Sequence, residues 1–444
     1  TITDGISCMN KNISDLTGIE YFINIGTLSC DRNQLTSLPD FSALTALWWF
    51  TCNENQLTSL PDLSANTALK QLYCKDNQLT SLPDLSSNTA LEELWCRNNQ
   101  LTSLPDLSAN TALTDLHCND NQLTSLPDLS TNINLMLLRC HRNQLTSLPD
   151  LSANTALLLL NCSDNQLTSL PDLSANTALE GLTCSWNQLT SLPDLSANTA
   201  LTDLDCDDNL LTSLPDLSAN TALTELRCSD NKLISLPDLS ANTALTNLDC
   251  DDNQLTSLSD LSANTELYYL SCSNNQLTSL PDLSANTKLK YLYCDSNQLT
   301  SLDISGNSTL EEINLSYMPT LSEVCVWEIP FPPAGVTIDT TSSPNVYITD
   351  CTVGSSFTHE LNNKIDIYPN PNKGIFNIYI ENIQPENVEL RIFNSLGQQV
   401  LIEQIKQAKG TYTGQFELRE YPAGIYYLQI EGINGVINKQ IIIE

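Results

Sequence analysis

The stretch LKQLYCKDNQLTSLPDLSSNTA, residues 69–90, is one copy of a unit that recurs along most of the chain. Its cysteine returns every 22 residues from Cys8 to Cys294, without an insertion or a deletion. The next unit arrives one residue early, and Leu315 stands where the cysteine would be. A strict period of this length predicts a stack of equivalent coils, because one coil cannot bury its apolar face alone.

Each unit supplies one short strand and a return segment. Leu72 and Cys74 alternate with polar residues, so both side chains point to the same face of a strand. Pro83 blocks a strand on the return side, since proline fixes φ and lacks an N–H donor. Asp84 is placed to cap the short turn that follows it. A coil of 22 residues leaves room for turns or a 3₁₀ segment on the return side, but not for a full helix.

The pattern L-x-x-L-x-L-x-x-N-x-L, with cysteine in the third apolar position, resembles the leucine-rich-repeat family. This resemblance covers about 300 residues and implies a repeat solenoid at residues 1–316, a right-handed parallel-β coil of about fifteen rungs. It implies that Asn77 and its equivalents, from Asn33 to Asn297, bond backbone groups of neighbouring coils. In this family the concave sheet is generally the surface that recognises ligands.

The cysteine column has two readings, either buried thiols or a run of disulfides or metal sites. In-register residues on adjacent strands keep their Cβ atoms about 4.8 Å apart, beyond the ~3.8 Å of a usual disulfide. We therefore predict free thiols. Cys325 and Cys351 lie off this register, and a disulfide between them would suit a cap at residues 317–351 that covers the exposed solenoid end.

Residues 352–363 are polar and typical of a linker. From residue 364 to residue 444 the composition changes to β-rich segments separated by glycine, proline or asparagine, which predicts an antiparallel, immunoglobulin-like β-sandwich of seven strands. The predicted strands are residues 364–368, 375–380, 388–393, 399–402, 411–418, 424–430 and 438–443.

Three motifs mark this module: YPNP at 368–371 with Gly374, IFNSLGQQV at 392–400, and PAGIY at 422–426. With them the module resembles the C-terminal sorting domain of the type IX secretion system of Bacteroidetes; an ordinary adhesive β-sandwich is the alternative. The resemblance implies export across the outer membrane, interaction with the secretion machinery, and then surface attachment or release. The residues that carry the signal are Pro369, Asn370, Pro371, Gly374, Leu396, Gly397, Gly424, Tyr426 and Lys439.

The formal charge is −34, and almost all of it lies before residue 364. Such a field repels nucleic acid and anionic lipid and attracts cations and basic surfaces. No apolar run approaches the ~18–20 residues needed to cross a bilayer. No secretory leader is recognisable at Thr1, as expected of a processed or trimmed chain.

Catalytic groups are scarce. The histidines are His117, His141 and His359. His117 precedes an inward cysteine in a strand, so the two side chains point to opposite faces and form no dyad. Phosphate loops, nucleotide fingerprints and paired-carboxylate motifs are lacking beyond what the repeat generates. We predict a protein without enzymatic activity; a metal held by His117 and His141 is the alternative use of these side chains.

The return side is nearly identical from coil to coil, whereas the outward strand positions vary. Two groups there combine residue types that are favoured as binding anchors, and we predict that both contact a ligand. The first group is Trp49, Tyr73, Trp95, Arg97, His117 and Arg139, and the second is Tyr269, Tyr291 and Tyr293 beside Tyr268. Between them, Leu137, Leu158 and Leu159 suggest an apolar contact.

An acidic group follows the first aromatic one: Asp205, Asp207, Asp249 and Asp251. Oxygen ligands of this kind suit Ca²⁺, the one cofactor we consider. The alternative is a solvated acidic surface partly neutralised by Arg227.

The function predicted is that of a secreted or cell-surface recognition or adhesion protein for a protein or glycan. The alternative is a structural spacer or a self-assembling surface fibre, which the uniform return side favours. A minor alternative is ice binding by the column of outward threonines at Thr58, Thr80 and their equivalents.

Overall fold

The computed structural model describes residues 5–341, 346–349, 365–394, 399–432 and 435–443. The chain divides into two compact units, Thr1–Cys351 and Thr352–Glu444. Within the described ranges, no helix combines the length and apolar character needed to span a membrane. One 3₁₀ helix, Ile19–Tyr21, precedes the regular coils.

The strands of the first unit have three residues each, except for the two-residue β1. They are β1 Ile6–Ser7, β2 Thr27–Ser29, β3 Trp49–Thr51, β4 Gln71–Tyr73, β5 Glu93–Trp95, β6 Asp115–His117, β7 Leu137–Arg139, β8 Leu159–Asn161, β9 Gly181–Thr183, β10 Asp203–Asp205, β11 Glu225–Arg227, β12 Asn247–Asp249, β13 Tyr269–Ser271, β14 Tyr291–Tyr293, β15 Ser301–Asp303, β16 Glu312–Asn314, β17 Glu323–Cys325, β18 Thr337–Asp339 and β19 Val346–Ile348.

Sixteen of these strands form one parallel sheet in the order β1 to β14, then β16 and β18. Neighbouring strands are in register, so that Leu72 pairs with Phe50 on one side and Leu94 on the other. The shortened unit keeps this register, with Tyr291 opposite Glu312. The predicted parallel solenoid is therefore confirmed, with one rung more than expected.

The core repeats in layers. In a typical coil Leu72, Cys74, Leu79 and Leu85 are completely buried. The fourteen cysteines of the column are free, as predicted; thirteen are buried and Cys8 is half-buried. Several thiols donate to the next coil, for example Cys140 Sγ to the carbonyl of Asn161 at 3.5 Å. The thiol therefore acts as a small apolar residue with one weak donor.

The predicted asparagine ladder holds successive coils together after each strand. Asn77 Nδ2 donates to the carbonyls of Cys52 at 3.0 Å and of Cys74 and Lys75 at 3.2 Å. Asn77 Oδ1 accepts the backbone N–H of Leu57 at 3.0 Å. The side chain thus pairs backbone groups that a tight turn would otherwise leave unsatisfied.

A second asparagine ladder, which the sequence analysis did not identify, runs through the return side. Asn154 is fully buried, and its Nδ2 donates to the carbonyls of Leu129 at 3.0 Å and Asn132 at 2.9 Å. Its Oδ1 has no hydrogen-bond partner in the part of the chain described. The same arrangement recurs at Asn66, Asn88, Asn110, Asn132, Asn176, Asn198, Asn220, Asn242, Asn264 and Asn286.

The return side is made of turns, as predicted. Asp84 accepts the backbone N–H of Ser86 at 2.9 Å and its hydroxyl at 3.0 Å. These hydrogen bonds lower the pKa of Asp84. The same cap is repeated in the other coils, for example at Asp150.

Among the residues described for the first unit, strands replace turns on the return side only near the end of the solenoid, where β15, β17 and β19 form a second parallel sheet. Asp303 occupies the position that is proline in most coils, and its partner in the sheet is Cys325. Both residues have the N–H donor that a strand ladder needs. Ser259 also lacks the proline, but the coils on either side carry Pro237 and Pro281.

The stretch that was predicted to be a cap contains strands of both sheets. β18 extends the main sheet, while β17 and β19 extend the second one. Cys325 lies in β17 and is disulfide-bonded. Its predicted partner Cys351 and the predicted linker, residues 352–363, lie outside the described residues.

The second unit is antiparallel, with β20 Ile365–Tyr368, β21 Ile375–Asn394, β22 Gln399–Glu417, β23 Gly424–Gly432 and β24 Gly435–Ile443. The prediction of seven strands was wrong: two pairs of predicted strands are each one long strand, β21 and β22. Register shifts between Ile380 and Val388 let β21 continue where the sequence suggested a break. Both halves of β21 contribute to one core, which is consistent with the predicted β-sandwich.

Candidate ligand-binding face

Each strand from β2 to β14 buries its middle residue and turns its first and third residues outward. In β4, Leu72 is buried while Gln71 and Tyr73 are half-buried. This follows from the alternation of side chains along a strand. The outward residues of β3 to β14 form two columns, which together we term the strand face.

Tyr73, Trp95 and His117 lie in one column on neighbouring strands, and Trp49 of β3 lies beside them in the other column; together we term these four rings the aromatic column. Tyr73 and Trp95 are stacked with centroids 4.3 Å apart. Trp95 and His117 are stacked at 4.9 Å with an interplanar angle of 3°. Trp49 meets Tyr73 edge-on at 6.4 Å. The strand register places Arg139 directly after His117 in the same column.

Stacking changes what these residues present to solvent. The ring faces of Tyr73 and Trp95 lie against each other, so mainly ring edges are open. His117 is only 6% exposed, and its Nε2 has no partner within the described residues. His117 therefore supports Trp95 more than it offers contact surface of its own. Burial, and then the charges of Arg139 and Arg97, lowers the pKa of His117 to about 4, so the ring is neutral at pH 7.

The polar neighbours of the aromatic column are themselves ordered. Tyr73 Oη donates to Glu93 at 2.6 Å, and Gln71 Nε2 donates to the same carboxylate at 2.7 Å. Burial and this bond to Glu93 raise the pKa of Tyr73. Arg97 lies just beyond β5, in the turn after Cys96, and not on the strand itself.

The tyrosine patch, Tyr268, Tyr269, Tyr291 and Tyr293, is assembled by β13 and β14. Tyr269 and Tyr293 have centroids 5.5 Å apart, and Tyr268 and Tyr291 have centroids 5.3 Å apart. Burial, and then the neighbouring Glu312, raises the pKa of Tyr293 to about 12. The structure thus brings the predicted residues into one cluster.

The acidic group, Asp205, Asp207, Asp249 and Asp251, is held by hydroxyls and backbone N–H groups. Asp207 accepts the N–H of Ser229 at 2.6 Å. Asp251 accepts the hydroxyl of Ser271 at 2.7 Å and the N–H of Ser273 at 2.6 Å. Within the described ranges, no set of three or more histidine, cysteine or acidic side chains is arranged to hold a metal ion. Calcium binding here stays a prediction.

Burial raises the pKa of two carboxyls of this group, Asp207 and Asp251. Burial, and then the charge of Asp205, raises the pKa of Asp207 to about 7. Burial also raises the pKa of Asp251 to about 7, against the hydrogen bond from Ser271. Arg227 is paired with Glu225 on its own strand, and its charge lowers the pKa of Asp207 by less than burial and Asp205 raise it.

These two groups should make stability depend on pH. Folding raises the pKa of both carboxyls from near 4 in the unfolded chain to about 7. Their contribution to stability is therefore fully present below about pH 4 and is lost as the pH rises through about 7. The melting temperature is therefore expected to rise as the pH falls from about 8 to about 6. The variants Asp207→Asn and Asp251→Asn should melt higher than the parent at the upper pH and show a flatter profile.

Asp150→Asn is the matched control for this prediction, since Asp150 is an exposed cap whose pKa is lowered by its bonds to Ser152. That change should leave the slope of melting temperature against pH unaltered. An unchanged slope in the Asp207 and Asp251 variants would contradict the assignment.

The sorting motifs are hydrogen-bonded into the second unit. Asn370 Oδ1 accepts the N–H of Ile442 at 2.7 Å. Tyr426 is buried and donates to the carbonyl of Pro422 at 2.7 Å. Gly374 adopts a φ of 81°, in the region that favours glycine. Of the remaining predicted signal residues, Pro369, Pro371, Gly424 and Lys439 are exposed, and Leu396 and Gly397 lie outside the described residues.

Two sequence families match the chain. Residues 366–444 match the secretion system C-terminal sorting domain. Residues 89–131, 221–263 and 265–321 match leucine-rich repeats. Among curated proteins no match is found.

Several solved structures are similar. The functional domain of InlJ from Listeria monocytogenes, which includes a cysteine ladder, is 30% identical with a TM-score of 0.68, over 99% of this chain and 90% of that one. YopM, a leucine-rich effector protein from Yersinia pestis, is 30% identical with a TM-score of 0.63, over 76% of this chain and 88% of that one. A leucine-rich-repeat protein of Leptospira interrogans is 25% identical with a TM-score of 0.63, over 75% of this chain and 95% of that one.

The repeat pattern, the parallel coil and the cysteine column agree with these similarities, and the C-terminal unit agrees with the sorting family. The chain belongs to the leucine-rich-repeat proteins, in a form with a cysteine ladder, and its type IX sorting domain makes it a secreted protein of the cell surface or the extracellular space.

Proposed function

We propose that this protein is a non-enzymatic recognition protein that binds a protein or glycan through its strand face. The observation that carries the proposal is that sequence variation is concentrated on that face and in the turn that directly follows each strand. Coils with the same core and the same return side carry different outward residues on β3 to β14. Since the fold does not require this variation, contact with a ligand is the simplest reason for it. We further propose that the sorting domain engages the type IX secretion machinery.

The aromatic column and the tyrosine patch are the proposed anchors. Tryptophan, tyrosine and arginine contribute large contact areas and are common where binding energy concentrates. Met136 is 39% exposed beside Leu137 and Leu159, which gives the face an apolar segment between the two anchors. Because the stacked rings show their edges, a protein ligand is favoured over a sugar that would pack on a ring face.

Binding of the full chain to protein and glycan arrays tests this proposal, with any hit then measured in solution. The test variant combines Trp49→Gln, Tyr73→Thr and Arg139→Asn. Each new residue already occupies the same column in another coil, at Gln71, Thr183 and Asn161, so the fold should persist. Affinity is expected to fall about tenfold or more, because aromatic and arginine anchors dominate binding energy.

The control for that experiment is a return-side variant that also has three substitutions: Thr58→Ser, Thr80→Ser and Thr102→Ser. These positions are in nearby coils but away from the strand face, so this variant should bind like the parent. Equal affinity of the strand-face variant and the parent would refute the assignment of the anchors.

A structural role is the second candidate, and the uniform return side supports it. Thr58, Thr80 and Thr102 are all exposed, and threonine recurs at this position in every coil from Thr36 to Thr300 except at Ile234. A spacer or fibre-forming protein would give no hit on the arrays and would scatter light in a concentration-dependent way. Adding Ca²⁺ to that measurement also tests the acidic group, and thermal hysteresis would indicate ice binding.

A further inference from the structure

Three exposed apolar side chains interrupt an otherwise polar edge of the solenoid. Trp186 is 62% exposed, Leu210 is 39% exposed and Ile234 is 63% exposed. They lie in three successive coils, in the segment that follows each strand. We term these three residues the edge strip.

Each member departs from the residues at the same position in other coils. Trp186 occupies the left-handed turn position, with φ 55°, where most other coils carry aspartate, asparagine or arginine. Leu210 occupies the position of Gln188 in the coil before it, and Ile234 occupies the position of Thr212 in the coil before it. Packing does not require the three apolar residues, because polar residues fill these positions elsewhere without altering the coil.

The three positions form one continuous surface. Along this segment the outward residues alternate with the inward Asn187 and Leu189 and their equivalents. Backbone bonds keep the coils in step, with Leu210 N–H donating to the Leu189 carbonyl at 2.9 Å. One coil and two residues separate each member from the next. Neighbouring members are therefore about 8 Å apart, since coils are ~4.8 Å apart and two extended residues span ~6.6 Å.

Negative charge borders the edge strip. Asp164 and Asp208 flank Trp186 in the turn column, Asp208 also lies two residues before Leu210, and Asp230 continues the column in the next coil. Burial and then the charge of the next aspartate raise the pKa of both Asp208 and Asp230, which reflects crowding of like charge. Lys232 stands one repeat after Leu210 and two residues before Ile234, so the negative charge is concentrated at the Trp186 and Leu210 end of the strip, where three aspartates outnumber this lysine.

We infer that the edge strip is a docking surface, separate from the strand face, for a cationic amphipathic polypeptide segment. Apolar side chains of that segment cover Trp186, Leu210 and Ile234, and its lysines or arginines face the surrounding aspartates. Charge complementarity selects this partner, because an acidic or uncharged segment would leave the aspartates unpaired next to a newly buried apolar contact.

The test uses the full chain and a fluorescent Leu–Lys peptide, about four helical turns long, with its leucines on one face. The key variant combines Trp186→Asp, Leu210→Gln and Ile234→Thr, which restores residues that occur at these positions in other coils. Anisotropy titration is expected to show about tenfold or greater loss of affinity. Because the variant is more acidic than the parent, simple attraction of a basic peptide would instead be unchanged or stronger.

Controls separate the strip from general stickiness. Ile133→Thr restores the residue type of Thr111 at another exposed isoleucine and should bind the peptide like the parent. A Gly–Lys peptide of equal charge should bind about tenfold more weakly than the Leu–Lys peptide, and a Leu–Glu peptide should not bind. Equal melting temperatures of parent and key variant establish that the fold is kept.

Three results would overturn the inference. One is an unchanged affinity of the key variant for the Leu–Lys peptide. Another is that the parent does not bind the peptide but self-associates in light scattering, and the key variant no longer self-associates. The strip would then be a contact between copies of the chain. The last is loss of a glycan-array signal on reversion without a change in peptide binding.

Discussion

Replacing Asn154 by aspartate is expected to lower the free energy of unfolding at pH 8 by about 3–5 kcal/mol, the range typical of an uncompensated buried charge. The wild-type Nδ2 donates to the carbonyls of Leu129 and Asn132 at 3.0 and 2.9 Å. A carboxylate would turn oxygen toward both carbonyls in a fully buried position. Asn154→Ala removes the same two bonds without adding charge and is expected to cost about 2 kcal/mol.

The pH dependence distinguishes the charge from the lost hydrogen bonds. Burial raises the pKa of a carboxyl, so the aspartate penalty should shrink as the pH falls through that raised value. Urea unfolding of both variants at about pH 8 and about pH 5.5, each referred to the parent at the same pH, measures the difference. The stability of the Asn154→Asp variant should approach that of the Asn154→Ala variant at the lower pH. A constant gap between the two would contradict the explanation.

Solenoid geometry determines how this damage spreads. Each coil contacts mainly its neighbours, so weakening a central coil can uncouple the two halves. The Asn154 variants are therefore expected to unfold with a broader or split transition. Hydrogen exchange should show the first loss of protection in the coils around Leu129 and Asn154.

The second large effect concerns the ladder thiols. Burial raises the pKa of Cys96 and of Cys162 to about 12, from an ordinary value near 9. The thiolate is the reactive form, so these groups should alkylate about 1000-fold more slowly than exposed thiols at about pH 8. Iodoacetamide followed by peptide mass spectrometry should modify Cys8 first in the native protein, and all fourteen ladder cysteines in urea.

Ser59→Cys supplies an exposed thiol on the return side as the internal standard for that experiment. It should react at the rate of a free peptide thiol, while the ladder stays protected in the same sample. Rapid labelling of Cys140, or disulfides between adjacent ladder positions, would show that the column is open or oxidised.

Much of the fold follows from the sequence because one constraint is repeated many times. Register, the buried layer of Leu72 and Cys74, and the bonding of Asn77 are all consequences of a period that never slips before Cys294. The second ladder was missed because an asparagine such as Asn88 in a polar turn has the same sequence appearance whether it is buried or solvated. β21 was divided in two because Pro385 and its polar neighbours suggest a turn, whereas the strand absorbs them through shifts in register.

The candidate site could be assigned to columns but not to contacts. Register alone places Tyr73, Trp95 and His117 side by side. Whether rings in adjacent strands stack or spread depends on rotamers, which periodicity does not determine. The burial of His117 and the edge-on presentation of the column are therefore results of side-chain packing. The edge strip was overlooked for a related reason: its members lie in three different columns, and only the stacked coils show that they adjoin.

The chemical equivalence of every coil junction has an evolutionary consequence. An in-frame gain or loss of one 22-residue unit leaves the core and both asparagine ladders continuous. It nevertheless shifts all outward side chains after the junction by one coil relative to those before it. A single unequal recombination event can therefore bring existing outward side chains together in a new arrangement. The protein does not have to pass through an unstable intermediate sequence.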